Sequence, residues 1–293
     1  MRQQVTVRVP ASTSNLGPGF DCLGVALRLY NSITTRRATD RHHHEKIVLQ
    51  AADLFFKRTK RSRFNFACSA NESVPRCRGL GSSATIRLGV LHGLNELCGR
   101  PLDRLSIFGL CTELEKHPDN SAPASFGGFT VARDENVQHF KVASRLKFVL
   151  LIPDFEIRTT AARRILPKRI IRVTAVENAG NACAITAAFA SKDYENLRGV
   201  FVDQLHQPFR AKLIPFLPRV IAAAEKAGAV GAFLSGSGST ICAVTLRNPR
   251  RVADAMKRCV RCRSQVIVTT ADNFGIQIKH QTSNIKHRRG PKT

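Results

Sequence analysis

Hydrophobic and polar residues alternate with a period of two near the start of the chain, which predicts a β-strand at VTVRV, residues 5–9. Two further strands are predicted at KIVLQA, residues 46–51, and RFNFAC, residues 63–68. The apolar stretch KFVLLIP, residues 147–153, predicts a buried strand. The last third of the chain adds predicted strands at GAVGAFLS, TICAVTL and QVIVTT.

A helical period appears after residue 82, where Ile86, Val90, Leu94 and Leu97 recur at spacings of four, four and three. Gly99 is a natural end for this helix. Further helices are predicted at 102–115, 174–191, 194–201, 219–227 and 249–262. The mixture of strands and helices predicts two domains, residues 1–150 and 151–278, followed by a basic, disordered tail at 279–293.

The composition is that of an ordinary globular protein, with 293 residues of which 43% are hydrophobic. No stretch approaches the eighteen apolar residues of a membrane span, and the first ten residues lack the apolar centre of a signal peptide. We therefore expect a cytoplasmic protein with no membrane partner. The nine cysteines are scattered, which favours reduced thiols, and the single C-x-x-C at Cys259 and Cys262 lacks the second pair that zinc needs.

The charge is unusual, because 46 Lys and Arg against 21 Asp and Glu leave a net charge of +25. Such an excess attracts polyanions. However, the basic residues are dispersed, and no aromatic residues are interleaved among them to stack on bases. A basic, solvated surface is the favoured interpretation, and no specific nucleic acid partner is expected.

The stretch VPRCRGLGSSATIRLGV, residues 74–90, places glycines and serines just before a predicted helix. Free N–H groups and the helix dipole would meet there, which indicates an anion site suited to phosphate. The chain has no Walker motif. The spacing from Gly79 to Ala84 fits a dinucleotide fingerprint, but residues 75–78 separate it from the nearest predicted strand. A purely structural glycine turn is the alternative.

Two further loops of small residues occur at VPASTSNLGPGFDCLGVAL, residues 9–27, and GAFLSGSGSTICAV, residues 231–244. Three such loops at the start, middle and end resemble the GHMP small-molecule kinases, and the resemblance extends to about residue 275. The motifs SNLGPGFDCLGVAL, GLGSSA, EKHPDNSAPASFGGF, FVDQLHQPFR and GAFLSGSGST are most similar to the homoserine kinase branch. The resemblance implies a two-domain α+β fold, with an N-terminal half like ribosomal S5 domain 2, a ferredoxin-like C-terminal half and the site between them.

The resemblance also implies the chemistry of the site, a phosphoryl transfer from ATP to L-homoserine assisted by Mg²⁺. Glu115 and Ser83 are the implied metal ligands, and Asp119 with Asn120 forms the implied orienting pair. ATP is implied to contact residues 75–85, which are Pro75, Arg76, Cys77, Arg78, Gly79, Leu80, Gly81, Ser82, Ser83, Ala84 and Thr85. The implied substrate residues are Asn15, Asp21, Asn120, Thr159, Arg163 and Arg210.

Among these substrate residues, Asp21 suits an ammonium group, and the two arginines suit a carboxylate. Thr160 and Arg164 have the same spacing as Thr159 and Arg163 and are an alternative pair. Two other functions are kept as alternatives: a GHMP kinase for another small alcohol, and a non-catalytic, basic nucleic-acid-binding protein on a GHMP scaffold. A homodimer is left open.

Overall fold

Two antiparallel β-sheets and their covering helices make up residues 3–279, the part of the chain that the computed structural model describes. The strands are β1 Gln4–Ser14, β2 Leu23–Arg37, β3 Phe66–Glu72, β4 Phe129–Arg133, β5 Asn136–Phe140, β6 Lys147–Pro153, β7 Gly231–Leu234, β8 Ile241–Thr245, β9 Ser264–Thr269 and β10 Gln277–Lys279. The helices are α1 Lys46–Thr59, α2 Ser82–Leu97, α3 Arg104–Glu115, α4 Ser121–Phe126, α5 Thr159–Arg164, α6 Arg172–Ser191, α7 Gln207–Arg210, α8 Leu217–Lys226 and α9 Pro249–Arg258.

The first sheet has the strand order β10-β1-β2-β4-β5, and β3 also pairs with β2. Alternate residues of β1 point to one side, where Val5, Val7 and Val9 pack against α1, α2 and α3 in one apolar core. The long strands β1 and β2 run directly into the first small-residue loop, residues 15–22. The sheet thereby fixes both ends of that loop.

The second sheet has the order β7-β8-β6-β9 and arises from the chain order β6-α8-β7-β8-α9-β9. This βαββαβ arrangement is the ferredoxin-like motif that the resemblance implied. One face of β6 packs Val149 and Leu151 against α8 and α9. The opposite face packs Phe148 and Leu150 into a core shared with β2 of the first sheet. The α+β fold class is thus confirmed.

The prediction of a strand at residues 46–51 is wrong, because this stretch begins helix α1. The buried residues of α1 are Val48, Ala51, Ala52, Phe55 and Phe56, spaced as one face of a helix. The six residues 46–51 contain too little of this buried face, which extends to Phe56, to show the helical spacing. The predicted helix at 194–201 is a short 3-10 turn at Tyr194–Leu197.

The predicted division at residue 150 falls inside β6, whose partners are all in the second sheet. The chain also returns to the first sheet at β10, which pairs with β1. The proposed domain limits stay a prediction. The predicted tail, apart from Lys279 at the end of β10, lies outside the described residues. Within residues 3–279, no helix combines the length and the apolar character that a membrane crossing requires.

Candidate active site

A cavity of about 390 Å³ lies where the three glycine-rich loops meet. Hydrogen bonds join the loops around it. Ser235 Oγ donates to Gly79 O at 2.6 Å and shares a 2.8 Å hydrogen bond with Thr13 Oγ1. Gly236 N donates to Ser14 O at 3.1 Å. Loops far apart in sequence therefore form one wall.

Most of the site residues that the sequence implied line this cavity. They are Asn15, Asp21, Arg76, Cys77, Arg78, Gly79, Leu80, Gly81, Ser82, Ser83, Glu115, Asp119, Asn120, Thr159, Arg163 and Arg210. Pro75, Ala84 and Thr85 are not part of the lining. Thr85 is fully buried, and its hydroxyl accepts a hydrogen bond from Asn31 and donates one to Ser82 O. Its side chain therefore braces the loop from behind.

Gly79 and Gly81 have φ angles of 73° and 70°, a left-handed conformation that favours glycine. A Cβ at Gly79 would lie 2.1 Å from Ser235 O, and one at Gly81 would lie 2.2 Å from Ser12 Oγ. Both positions thus require glycine for conformation and for space. The bare backbone noted in the sequence is what lets the middle loop touch the other two.

Gly81 is also the N-cap of α2, so the positive end of a 16-residue helix faces the cavity. Ser82, in its first turn, is 7% exposed, and its hydroxyl has no hydrogen-bond partner among the described residues. A buried hydroxyl without a partner beside a helix N-terminus suits an anionic ligand. The loop residues therefore fit the phosphates of a nucleotide.

The two arginines of the middle loop are engaged by carboxylates. Arg76 pairs with Glu72 and donates to both oxygens of Glu45, at 2.8 and 3.0 Å. Arg78 donates to Pro153 O at 3.1 Å and to Asp154 Oδ1 at 3.3 Å. Their charges are largely used to tie the loop to neighbouring elements.

Glu115 is the last residue of α3, and its side chain is 10% exposed. One carboxylate oxygen accepts from Ser83 Oγ at 2.9 Å, and the other accepts from Arg87 Nη1 at 2.7 Å. The two implied metal ligands are therefore in contact. A carboxylate and a hydroxyl are the hard oxygen donors that Mg²⁺ prefers, so this pair fits that ion.

Asp119 is buried and lies 2.9 Å from Nδ1 of His117. Burial raises the pKa of the Asp119 carboxyl, but the hydrogen bond from His117 and the charge of Arg163 outweigh it, and the pKa is lowered overall. Asn120 accepts from Ser12 Oγ at 2.8 Å and donates to Ser14 Oγ at 3.0 Å. The end of β1 thus fixes the orientation of the Asn120 amide.

Arg163 donates two hydrogen bonds to Asp21, at 2.9 and 2.5 Å. Arg163 lies on α5 and Asp21 on the first loop, so this ion pair closes one end of the cavity. Thr159, one turn earlier on α5, also lines the cavity, whereas Thr160 and Arg164 do not. The geometry thus favours Thr159 and Arg163 over the alternative pair.

Arg210 is only 2% exposed, although it lines the cavity. Its guanidinium donates to Gly236 O at 2.8 Å, to Ala162 O at 3.3 Å and to His206 Nδ1 at 3.3 Å. Burial, followed by the nearby charge of Arg163, lowers the pKa of Arg210 to about 10, so it stays charged at neutral pH. Arg163 and Arg210 therefore add two cations to those of the middle loop, and the cavity lining also contains several carboxylates, namely Asp21, Glu45, Glu115 and Asp119.

Phe20 lies between Arg163 and Arg210, with its ring centroid 5.2 Å from Arg163 Cζ and 5.3 Å from Arg210 Cζ. These distances fit cation–π contacts. Asn15 donates to Gly236 O at 3.2 Å and accepts from the backbone N–H of Asp21 at 3.0 Å. Asn15 therefore holds the turn that presents Asp21.

Sequence reasoning missed three residues that support the site, His117, Arg87 and His206. His117 stood inside the quoted motif EKHPDN and could have been found there. Arg87 gave one weak signal, a charge on a helix whose residues are otherwise mostly buried. His206 stood inside the quoted motif FVDQLHQPFR, four residues before Arg210, and could also have been found there, whereas its contact with Gly17 O comes from the fold.

Asp21, His117 and Asp119 also place one potential metal-ligand atom each within 4.8 Å of one another. In this structure Asp21 pairs with Arg163, and His117 pairs with Asp119. The three groups are thus already engaged with cations or with each other.

Comparison with protein families identifies the class. The model for the GHMP kinases N terminal domain matches residues 46–128, and the model for the GHMP kinases C terminal domain matches residues 185–262. The chain therefore belongs to the GHMP kinase family and is a small-molecule kinase, a class that uses ATP as its co-substrate.

Within that family, the chain is similar to curated homoserine kinases. It is 38% identical to the homoserine kinase of Caldicellulosiruptor bescii over 94% of this chain and 96% of that protein. It is 36% identical to the homoserine kinase of Aquifex aeolicus over 94% and 99% of the two chains. The crystal structure of a homoserine kinase from Cytophaga hutchinsonii superposes with a TM-score of 0.87 at 26% identity, covering 95% of this chain and 98% of that one.

Proposed function

We propose that the protein transfers the γ-phosphoryl group of ATP to the side-chain hydroxyl of L-homoserine, giving O-phospho-L-homoserine for threonine synthesis. The observation that carries this proposal is the Asp21–Arg163 ion pair beside the buried Arg210, in the same cavity as the glycine-rich loop. A carboxylate and two guanidinium groups complement the ammonium and carboxylate of an amino acid. The names of the relatives point to the same substrate.

The ATP phosphates would lie against the middle loop, residues 79–83, at the N-terminus of α2. Glu115 and Ser83 would hold Mg²⁺, whose charge offsets that of the phosphate oxygens. Arg87, on α2, donates a hydrogen bond to the carboxylate of Glu115, on α3, and thereby fixes the orientation of that carboxylate. These residues supply the positioning and the charge that phosphoryl transfer requires.

In the transfer itself, the homoserine hydroxyl oxygen forms a bond to the γ-phosphorus, and the bond from phosphorus to the β,γ-bridging oxygen breaks. ADP leaves with that electron pair. A loose transition state needs little proton removal beforehand, which suits the lowered pKa of Asp119. Asp119 and Asn120 would therefore orient the hydroxyl, and its proton would pass to an oxygen of the transferred phosphoryl group after the transfer is under way.

The cytoplasmic location and the choice between monomer and homodimer stay predictions. An acceptor screen with ATP tests the proposed activity directly. L-Homoserine, L-threonine, mevalonate and galactose would be compared at equal concentration, with ADP release and the phosphorylated product both measured. Robust phosphorylation of L-homoserine supports the proposal. Phosphorylation of mevalonate or galactose without that of L-homoserine overturns it and indicates a kinase for another alcohol.

A further inference from the structure

Helices α8 and α9 cover the outer face of the second sheet and leave a groove of about 500 Å³ between them. Arg219, near the start of α8, donates to the backbone oxygen of Cys259, just after α9, at 2.5 Å. The two helices therefore run antiparallel. Three alanines and Cys259 also line the groove, and the five cations of its walls, named here the basic groove, are Arg219, Lys226, Arg251, Arg258 and Arg261.

The five cations of the basic groove are exposed, and none of them pairs with a carboxylate within residues 3–279. Arginines elsewhere in the described residues commonly form ion pairs with carboxylates, for example Arg58 with Glu113 and Arg198 with Glu195. The acidic residues of the two helices, Glu225 and Asp254, do not line the groove. Five like charges in one groove repel one another. The hydrogen bond from Arg219 to Cys259 O and the positions of Lys226 and Arg258 in the last turns of their helices offset part of this repulsion, but no carboxylate within residues 3–279 neutralises it.

The positions of two of these arginines are unfavourable for the helices that carry them. Arg219 and Arg251 each stand in the first turn of a helix, and neither first turn contains an acidic residue. A cation at a helix N-terminus opposes the helix dipole and lowers helix stability. Arg219 has a compensating contact in its hydrogen bond to Cys259 O, whereas Arg251 has none within residues 3–279. A residue such as Arg251, which breaks a local folding rule without an evident compensating contact, points to a role outside folding.

The basic groove lies apart from the active site. The apolar residues under α8 and α9 belong to the face of the second sheet opposite the one that packs against the first sheet. No residue of the basic groove lines the active-site cavity. The phosphoryl transfer therefore does not account for this cluster of charge.

We propose that the basic groove binds the phosphate backbone of a nucleic acid without sequence preference. The side chains that line it offer charge but no aromatic ring to stack on a base and no amide to recognise a base edge. Arg219 and Lys226 are seven residues apart on α8, which is about 10 Å along a helix. This span matches about three successive phosphates of one strand and exceeds a single phosphate ion.

A polymer fits better than a small anion, because exposed cations continue beyond the groove at Arg250 and Lys257. A membrane surface fits less well. The large exposed apolar residues, such as Ile171, Val173 and Val176, lie on and beside α6 rather than on α8 or α9.

Fluorescence anisotropy with labelled 20-base-pair DNA duplexes, at salt concentrations from 50 to 200 mM, tests the proposal. The double variant R251Q/R258Q should bind about tenfold more weakly than the wild type at 100 mM salt. The slope of log affinity against log salt should be smaller by about 1.8, as expected for two lost phosphate contacts. Two duplexes of different base composition should bind the wild type within about twofold of each other.

The matched control is K57Q/K141Q, which removes two exposed charges from the other domain. It should bind DNA within about twofold of the wild type, and both double variants should keep the wild-type kinase rate. Equal weakening by the two double variants would overturn the proposal, since net charge alone would then explain binding. Absence of wild-type binding at 100 mM salt, or tighter binding to anionic phospholipid vesicles through the same arginines, would also overturn it.

Discussion

Arg163 and Asp21 form an ion pair with two hydrogen bonds at the active-site cavity, and each side chain remains about one-third exposed. The proposed amino-acid substrate has one positive and one negative end, and Asp21 and Arg163 offer an opposite charge to each of them. An amino acid would replace the internal pair with two external ones. This exchange is the feature on which the assignment of an amino-acid substrate depends.

Asp21→Asn removes the charge that would meet the substrate ammonium but keeps the size of the side chain. Loss of one charge-assisted hydrogen bond should raise the KM for L-homoserine about ten- to a hundredfold and leave the KM for ATP nearly unchanged. Asp134→Asn, at an exposed aspartate near Arg133, is the matched control and should change neither constant. Equal changes of both KM values in Asp21→Asn would contradict this role.

Arg210→Met should affect both substrate binding and folding, because Arg210 is buried and donates to Gly236 O and Ala162 O. The KM for L-homoserine should rise, and the free energy of unfolding should fall by about 1–3 kcal/mol as carbonyl groups lose their partner. Arg163→Met should raise the same KM with less than about 0.5 kcal/mol loss of stability, because Arg163 is partly exposed. Denaturant unfolding of the two variants measures this difference, and identical losses would refute it.

Glu115→Gln removes the carboxylate that would hold Mg²⁺ and preserves its shape. Turnover should fall on the order of a hundredfold or more, and binding of Mg²⁺ with nucleotide should weaken in calorimetry. The control Glu113→Gln lies on the same helix, where its partner Arg58 is exposed, and it should behave like the wild type. A Glu115→Gln enzyme with normal turnover across Mg²⁺ concentrations would exclude Glu115 as the ligand.

The lowered pKa of His206 predicts that the protein loses stability in mild acid. Burial lowers its pKa, and it accepts a hydrogen bond from Arg210 only as a neutral ring. Because the unfolded chain takes up the proton first, near the ordinary value of 6.5, stability should fall as the pH drops below that value and should not change above it through this group. His206→Gln keeps an acceptor and a donor without titrating.

Unfolding measured from pH 7.5 to 4.5 should therefore show a smaller acid-dependent loss in His206→Gln than in the wild type. Parallel curves for the two proteins would show that His206 does not titrate in the way the structure implies.

The local parts of the site were predictable from sequence. Gly79 and Gly81 indicated a close approach of the backbone to another part of the chain, and the structure shows the atoms with which a side chain at either position would overlap. Long-range pairing was not predictable, since β10 joins β1 from the far end of the chain. Helix α1 was mistaken for a strand because most of its buried face, which includes Ala52, Phe55 and Phe56, lies beyond residues 46–51. The contact of His206 with Gly17 O was not predictable, because only the fold brings these two residues together.

The most direct test of the central claim compares L-homoserine with two analogues that each lack one charge, 4-hydroxybutyrate without the ammonium and 3-amino-1-propanol without the carboxylate. The ratio of kcat/KM for L-homoserine to that for each analogue measures how strongly the site recognises both charges. Losing either charge should lower kcat/KM about ten- to a hundredfold or more. Without the ammonium, Asp21 loses its contact with the substrate, and without the carboxylate, Arg163 and Arg210 lose theirs. Values within about threefold for all three acceptors would contradict a site built around Asp21, Arg163 and Arg210.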